Sequence, residues 1–241
     1  MDINGDWSKL PLAVIDFETT GLDPDKDRIV EYGVALFNDG KFLEVMGGFV
    51  NPEMPISEAA SKVNGITDAD VQRAPVFRFV YAHVLNIVLN GFIPVAYNAK
   101  FDREFLLQEV SRVMQEKVVE RTRELNTMFV TPELIRVYTN GIMAFNPNVE
   151  WIDPLVWARK LYKYEKSKKL TDMCKRLGIE IKDAHRASSD AKAAGEVLLK
   201  MAPSIGPLPY STLVEQQKQL AVQQELDFQK WRNKQKGDKQ L

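Results

Sequence analysis

Asp16 and Glu18 stand two residues apart at the end of a short apolar run, Leu12 to Phe17, that is followed by Thr19-Thr20-Gly21. In an extended strand residues two apart share a face, so both carboxylates emerge on one side. Adjacent anions repel unless something neutralises them. Asp102 follows a second short apolar run, Ile93 to Ala96, where a helix is expected to begin. Parallel strands carry their C-terminal ends to one edge of a sheet, where Asp102 would meet the first pair. Asp190 falls in an Ala-rich helical stretch, on or near the face that packs on the sheet. Burying an unpaired Asp is costly, so a cation partner is implied there. His185 precedes that helix by a few residues and can be brought above Asp190.

Each of these residues also has an ordinary reading. An Asp-x-Glu pair at a strand end is commonly a cap or a solvated turn, Asp102 can be the N-cap of the following helix, and Asp190 a solvated helix position. A lone His is usually structural or exposed, which is how His83 is read. Taken together, converging carboxylates with one His, and no Cys or second His nearby, form a ligand set suited to two Mg²⁺ or Mn²⁺ ions rather than to zinc. The chemistry suggested is two-metal phosphoryl transfer: one ion lowers the pKa of an attacking water and the other stabilises the leaving 3′ oxygen. An imidazole titrates near neutral pH, so His185 is suited to take the proton of that water.

The elements that position these groups can be read from patterning. Leu12 to Phe17 reads as a buried central strand ending in a turn. Arg28 to Phe37 and Lys41 to Val50 are strand-like and joined by Asn38-Asp39-Gly40, a strong hairpin signal. Ser57 caps a short helix to Val63, Gly65 stops it, and Thr67-Asp68 starts another. Val76 to Leu89 places Phe79, Val80, Val84, Ile87 and Val88 at helical spacing, ended by Gly91. After the Ile93 to Ala96 strand comes a long helix from Phe101 to about Arg123, with Phe105, Leu106 and Val113 on its apolar face. Asn126 to Asn148 is irregular, with Pro132, Gly141 and Pro147, and has room for one more short helix. Val149 to Ile152 is strand-like, Pro154 to Tyr164 and Lys169 to Leu177 helical, the latter closed by Gly178. Ser188 to Met201 is the last core helix. A hairpin first, then strands alternating with helices, predict an α/β fold with a mixed sheet of about five strands flanked by helices. Beyond Pro203 the composition turns to Gln and Lys, which divides the chain into a domain over 7–203 and a helical or flexible tail over 204–241.

The 241 residues are 45% hydrophobic and 27% charged, enough for one large domain plus an appendage. No apolar run reaches membrane-spanning length and the N-terminus has no basic-then-apolar pattern, so a cytoplasmic protein without a membrane partner is expected. Cys174 is the single cysteine, which excludes an intramolecular disulfide and a Cys-rich zinc site; it is read as a small buried hydrophobe. A net charge of −1 removes the simplest argument for nucleic-acid binding, a globally basic surface. Bound divalent cations would restore positive charge where a phosphate must sit.

Asp16-Phe17-Glu18-Thr19-Thr20-Gly21, Asn98-Ala99-Lys100-Phe101-Asp102 and His185-Arg186-Ala187-Ser188-Ser189-Asp190-Ala191 together resemble the three motifs of the DEDDh 3′-to-5′ exonucleases, within the ribonuclease H-like superfamily. The wording also resembles that of the proofreading epsilon subunits of bacterial DNA polymerase III. The resemblance runs from about Leu12 to Met201. It implies that Asp16 bridges two metals, that Glu18 and Asp190 hold the nucleophile-side metal, that Asp102 supports the second partly through water, and that His185 is the general base. Thr19 and Thr20 would touch the terminal nucleotide, with Phe17 or Leu22 near its base. Tyr97 stands where the family has His before Asn98, and Asn64 where it has His before Gly-Ile-Thr. Neither is a metal ligand in the family pattern, so Asn64, Tyr97 and Asn98 bear on base or sugar preference. The stretch from Arg121 to Asn148 is longer than in compact members.

The activity implied is release of nucleoside monophosphates from single-stranded or frayed DNA 3′ ends, in proofreading or repair. An exoribonuclease that trims RNA is the alternative enzyme, since the sequence does not show which groups would meet a 2′-OH. A scaffold without turnover is the alternative of another class, and the intact carboxylates argue against it. In the tail, Gln223-Gln224-Glu225-Leu226-Asp227-Phe228 resembles the Gln-x-x-Leu-x-Phe peptide by which replication proteins engage a sliding clamp. A replicative polymerase is the other partner expected for Gln223 to Phe228, and the alternative is an amphipathic helix whose stripe Leu213, Leu220, Phe228 and Trp231 docks on the domain or on a partner helix.

Overall fold

Alternation along one strand sets the layout. In the computed structural model, which describes residues 4–85, 89–125, 143–146 and 148–237, strand β1 (Leu12–Thr19) sends Ala13, Ile15 and Phe17 into one core and Leu12 and Val14 into another. Parity then puts Asp16 and Glu18 on the side of Leu12 and Val14. β1 pairs antiparallel with β2 (Ile29–Asn38) and parallel with β4 (Ile93–Val95). β3 (Lys41–Phe49) completes a mixed sheet in the order β3-β2-β1-β4. The β2–β3 turn has Asp39 at φ 50° and Gly40 at φ 69°, the pair of positive angles that an Asp-Gly hairpin supplies.

The expected fifth strand is a correction. Val149 to Ile152 contributes one isolated parallel bridge, Val95↔Ile152, held by Ile152 N–H to the Pro94 carbonyl (3.0 Å) and Ala96 N–H to the Ile152 carbonyl (3.1 Å). The chain cannot extend this ladder because the next residue, Asp153, turns to cap a helix with Pro154 in its first turn.

Short helices α1 (Glu58–Asn64), α2 (Asp68–Val71) and α3 (Phe77–Val80) follow the hairpin. The Ser57 hydroxyl caps α1 and Gly65, at φ 70°, ends it. The helix expected over 76–89 is α3 followed by one π turn at Tyr81–Leu85, and Phe79 is exposed rather than part of the apolar face. Ile87 and Val88 lie outside the described residues, as do 126–142 and 147 with Pro132, Gly141 and Pro147. Nearby, Met143–Phe145 forms a 3₁₀ turn with Ala144 and Phe145 buried.

Two long helices sandwich the sheet. α4 (Ala99–Leu125) buries Phe105, Leu106, Val110 and Val113 against the Ile15 side. α7 (Ala187–Ile205) buries Ala191, Ala194, Val197 and Leu198 against the Val14 side, with α5 (Pro154–Leu161) and α6 (Leu170–Leu177) packed beside it. Cys174 on α6 is buried there, and burial pushes its thiol up to about 12. The segment after Pro203 is helical: α8 (Tyr210–Gly237) places Tyr210, Leu213 and Val214 in the second core, while Phe228 and Trp231 stay exposed and stacked on each other. Among the described residues no helix is long and apolar enough to cross a membrane.

α7 approaches the sheet closely because of Gly195, where a Cβ would lie 2.3 Å from the Phe37 ring and 3.0 Å from Val14 Cγ2. Both neighbours are fully buried and cannot swing away. Gly195→Ala is expected to destabilise the protein by about 1–3 kcal/mol through overpacking. In urea titrations this should lower the midpoint without changing the slope.

Candidate active site

β4 is only three residues long, so β1 loses its neighbour on that side after Val14. The vacated position is taken by Asp102, in the first turn of α4, whose Oδ1 accepts a hydrogen bond from the Phe17 N–H at 2.9 Å. The buried Asp102 carboxylate is thereby fixed beside Asp16 and Glu18. From the opposite layer, the α7 N-terminus descends onto Gly33, the residue paired with Asp16. A Cβ at Gly33 would sit 2.1 Å from the Ala187 carbonyl carbon, so only glycine permits this approach. α7 brings Asp190 over β1. Ligand atoms of Glu18, His185 and Asp190 lie within 4.8 Å of one another, a spacing that suits one metal ion.

The electrostatics ask for a cation. Burial raises the Asp16 carboxyl well above the carboxylate range, and Asp102, Asp190, Glu18 and Glu31 push it further. Glu18 is raised to about 7 by burial and then by Asp190 and Glu31. Asp102 and Asp190 are also raised by burial, against the pull of their backbone donors. Asp190 Oδ2 accepts from the His185 N–H at 3.0 Å, whereas its Oδ1 is buried without a partner. An orphaned, buried carboxylate oxygen beside two more carboxylates fits a metal ligand.

His185 is exposed, with its backbone at φ 67°, a left-handed conformation uncommon for a residue with a side chain. Asn98 has a similar φ of 69° and an exposed side chain at the mouth of the cleft. Both belong, with Tyr97 and Asp190, to the lining of a cleft of about 650 Å³.

The remaining sequence candidates occupy other positions. The Phe17 ring is in the core, while Leu22, at 85% exposure, is the apolar side chain offered to solvent. Thr19 and Thr20 are buried, and their hydroxyls donate to the Gly21 carbonyl and to Asp27, organising the loop that carries Leu22. Asn64 is buried, donating to the Thr19 carbonyl and accepting from the Ile66 N–H. The Tyr97 hydroxyl donates to the Lys168 carbonyl.

Sequence reasoning missed three residues around the site. Glu31, paired across the sheet with Glu18, is buried, accepts from the Ala187 N–H at 3.3 Å and lies 3.6 Å from Arg186. Asp153 accepts from the N–H groups of Asn98 (3.0 Å), Ala99 (3.1 Å) and Leu155 (2.8 Å), joining the starts of α4 and α5. Gln217 of α8 accepts from the Asp153 N–H and donates to the Trp151 carbonyl, both at 2.8 Å. Asp153 before Pro154 carries the N-cap signal; for Glu31 and Gln217 the sequence holds none.

The sequence profile of the RNase_T exonuclease family matches residues 13–198, which include all of these carboxylates. The chain belongs to this exonuclease family. Among curated relatives, the PolC-type DNA polymerase III of Bacillus subtilis is 30% identical over 195 residues, 78% of this chain and 11% of the polymerase. The PolC-type polymerase of Oceanobacillus iheyensis is 32% identical over 189 residues, again 78% and 11%. The 3′-5′ exonuclease DinG of B. subtilis is 26% identical, covering 86% of this chain and 19% of DinG. The chain thus spans less than a fifth of the length of these relatives. Exonuclease I of E. coli bound to single-stranded DNA has the same fold at 18% identity, with a TM-score of 0.62 over 81% of this chain and 41% of that one. The nuclease domain of 3′hExo, a DEDDh member bound to rAMP, gives 0.58 at 21% identity over 83% and 94%. The four-stranded mixed sheet and flanking helices are therefore the ribonuclease H-like exonuclease fold.

Two outcomes follow for this exonuclease-family site. Gly33→Ala should lift the α7 N-terminus and separate Asp190 from Glu18, weakening Mn²⁺ binding by about tenfold or more in a calorimetric titration. The second concerns pH. The folded protein holds a proton on Glu18 up to about 7 where the free carboxyl releases it near 4.5, so metal-free stability falls as pH rises through that window and the loss is complete above it. Melts in EDTA should show a lower Tm at pH 8 than at pH 5, and Glu18→Gln should narrow the gap. An equal gap in the variant would mean that Glu18 does not carry it.

Proposed function

We propose that this chain is a metal-dependent 3′-to-5′ exonuclease that releases nucleoside monophosphates from DNA 3′ ends. The observation that carries this reading is the orphaned Asp190 Oδ1 facing a cluster of carboxylates whose protons are held abnormally tightly. Asp16, Glu18, Asp102 and Asp190 would hold two Mg²⁺ or Mn²⁺ ions, a choice set by all-carboxylate donors. When bound, such ions supply Lewis-acid stabilisation of charge developing on the phosphodiester oxygens.

The protein's own groups do the rest. His185 stands exposed at the cleft mouth beside Glu18 and Asp190, where its imidazole takes the proton of the attacking water. Leu22 projects from a loop tied down by Thr20, Asp27 and Arg112, so it offers a rigid apolar contact to a terminal base. A frayed end costs less to place there than a paired one. Polymerase relatives favour DNA as substrate and a polymerase as partner. The clamp-peptide reading needs α8 to open locally, because Leu226 and Phe228 are two residues apart on a helix and point to different sides.

The test is hydrolysis of 5′-labelled single-stranded DNA and RNA of matched sequence in Mg²⁺ and in Mn²⁺. A ladder shortening stepwise from the 3′ end, lost in EDTA and in Asp16→Ala, is expected, with DNA cut faster than RNA. His185→Ala should slow the chemical step by roughly 10²- to 10⁴-fold. Faster cutting of RNA would favour the exoribonuclease reading, and undiminished hydrolysis in EDTA would remove the metal from the mechanism.

A further inference from the structure

The last turn of α5 and its connection to α6 hold Arg159, Lys160, Lys163, Lys166, Lys168 and Lys169 with a single acid, Glu165. In a chain of net charge −1 this is a strong local excess. Glu165 is engaged by Arg176 at 3.4 Å. Among the described residues, no carboxylate lies within ion-pair distance of Arg159, Lys160, Lys163, Lys166 or Lys169. All five are exposed.

This loop is built and placed. The Lys168 ammonium turns inward to donate to the Lys163 and Glu165 carbonyls, which fixes the turn. The Tyr97 hydroxyl holds the Lys168 carbonyl, tying the loop to the strand end beside Asn98. Arg159, Lys168 and Lys169 consequently line the same cleft as His185 and Asp190. At the outer end of the loop, Tyr164 is 89% exposed, with the Lys163 ammonium 4.7 Å from its ring centre.

We propose that this loop is the binding track for the single nucleic-acid strand leading into the carboxylate site, with its cations on successive phosphates and Tyr164 stacking on a base. It rests on the reading of the site as a nuclease of strand ends. Cations beside an exposed aromatic ring are what a sequence-tolerant single-strand contact requires. The track also answers the missing global basicity: attraction is concentrated where the strand must lie, beside carboxylates that would otherwise repel it. Tyr97, in place of the family's His, serves here as a positioning residue for the track.

The experiment measures fluorescence anisotropy of a labelled 12-mer oligothymidylate, protected by phosphorothioate linkages at its 3′ end, from 50 to 200 mM salt in Mg²⁺. For the triple variant Arg159→Gln/Lys166→Gln/Lys169→Gln, the slope of log affinity against log salt should flatten by about 2, at roughly 0.7 for each single-strand phosphate that the variant no longer neutralises. Tyr164→Ala should weaken binding about tenfold with the slope retained, as removal of a stacking partner demands. A matched triple on another face, Lys182→Gln/Lys192→Gln/Lys200→Gln, should keep the wild-type slope. Equal flattening in both triples, or none in the first, overturns the proposal. Cutting of the unprotected oligomer is scored separately: its absence would remove the proposed function and leave the slope comparison to judge the track.

Discussion

Like charges gathered in one cleft push apart, and the groups around β1 are arranged to resist that push. Asp102 is held by the Phe17 N–H, Asp190 by the His185 N–H, and Glu31 by the Ala187 N–H. Asp102 and Glu31 accept from main chain of another layer and so pin α4 and α7 to the sheet, while Asp190 accepts from the loop just ahead of its own helix. Asp190 commits one oxygen to structure and leaves the other buried without a partner.

Much of the fold could be read from patterning because the signals were local. Parity along Leu12–Thr19, the Asp39-Gly40 turn, and Gly65 and Gly178 as helix stops each depend on a few neighbouring residues. The fifth strand failed for a reason the apolar run could not reveal, since Asp153 leaves the ladder to serve two helix starts. The docking of α8 was visible in part: Leu213 and Leu220 of the expected stripe reach the second core, whereas Phe228 and Trp231 stay exposed. Its depth depends on Gln217, whose burial is satisfied only by groups more than sixty positions away in the chain.

The same division holds for the candidate site. Residue type and order single out Asp16, Glu18, Asp102, Asp190 and His185, because a carboxylate set is recognisable without coordinates. The way they are brought together was not legible: Gly33 reads as an ordinary strand glycine until α7 is seen resting on it. Nor could the Thr19 and Thr20 hydroxyls be known to bond within their own loop. Tyr97 is similar. Its hydroxyl faces the Lys168 carbonyl, a partner with no fixed sequence spacing.

The Gln217 contact gives the C-terminal helix a hold on the cleft. Gln217 sits on the Asp153 amide, and Asp153 in turn grips the main chain at Asn98 and Ala99, just ahead of Asp102. Peeling α8 away would leave the sheet paired and both cores largely filled, yet it would free that grip and deprive a buried amide of its acceptor. The hold of α8 on the cleft is therefore separable from the pairing of the strands, because it reaches the site through Asp153 and not through the sheet. A cut in the exposed end of α8 would thus be felt first in the main chain ahead of Asp102, while the strands remain paired.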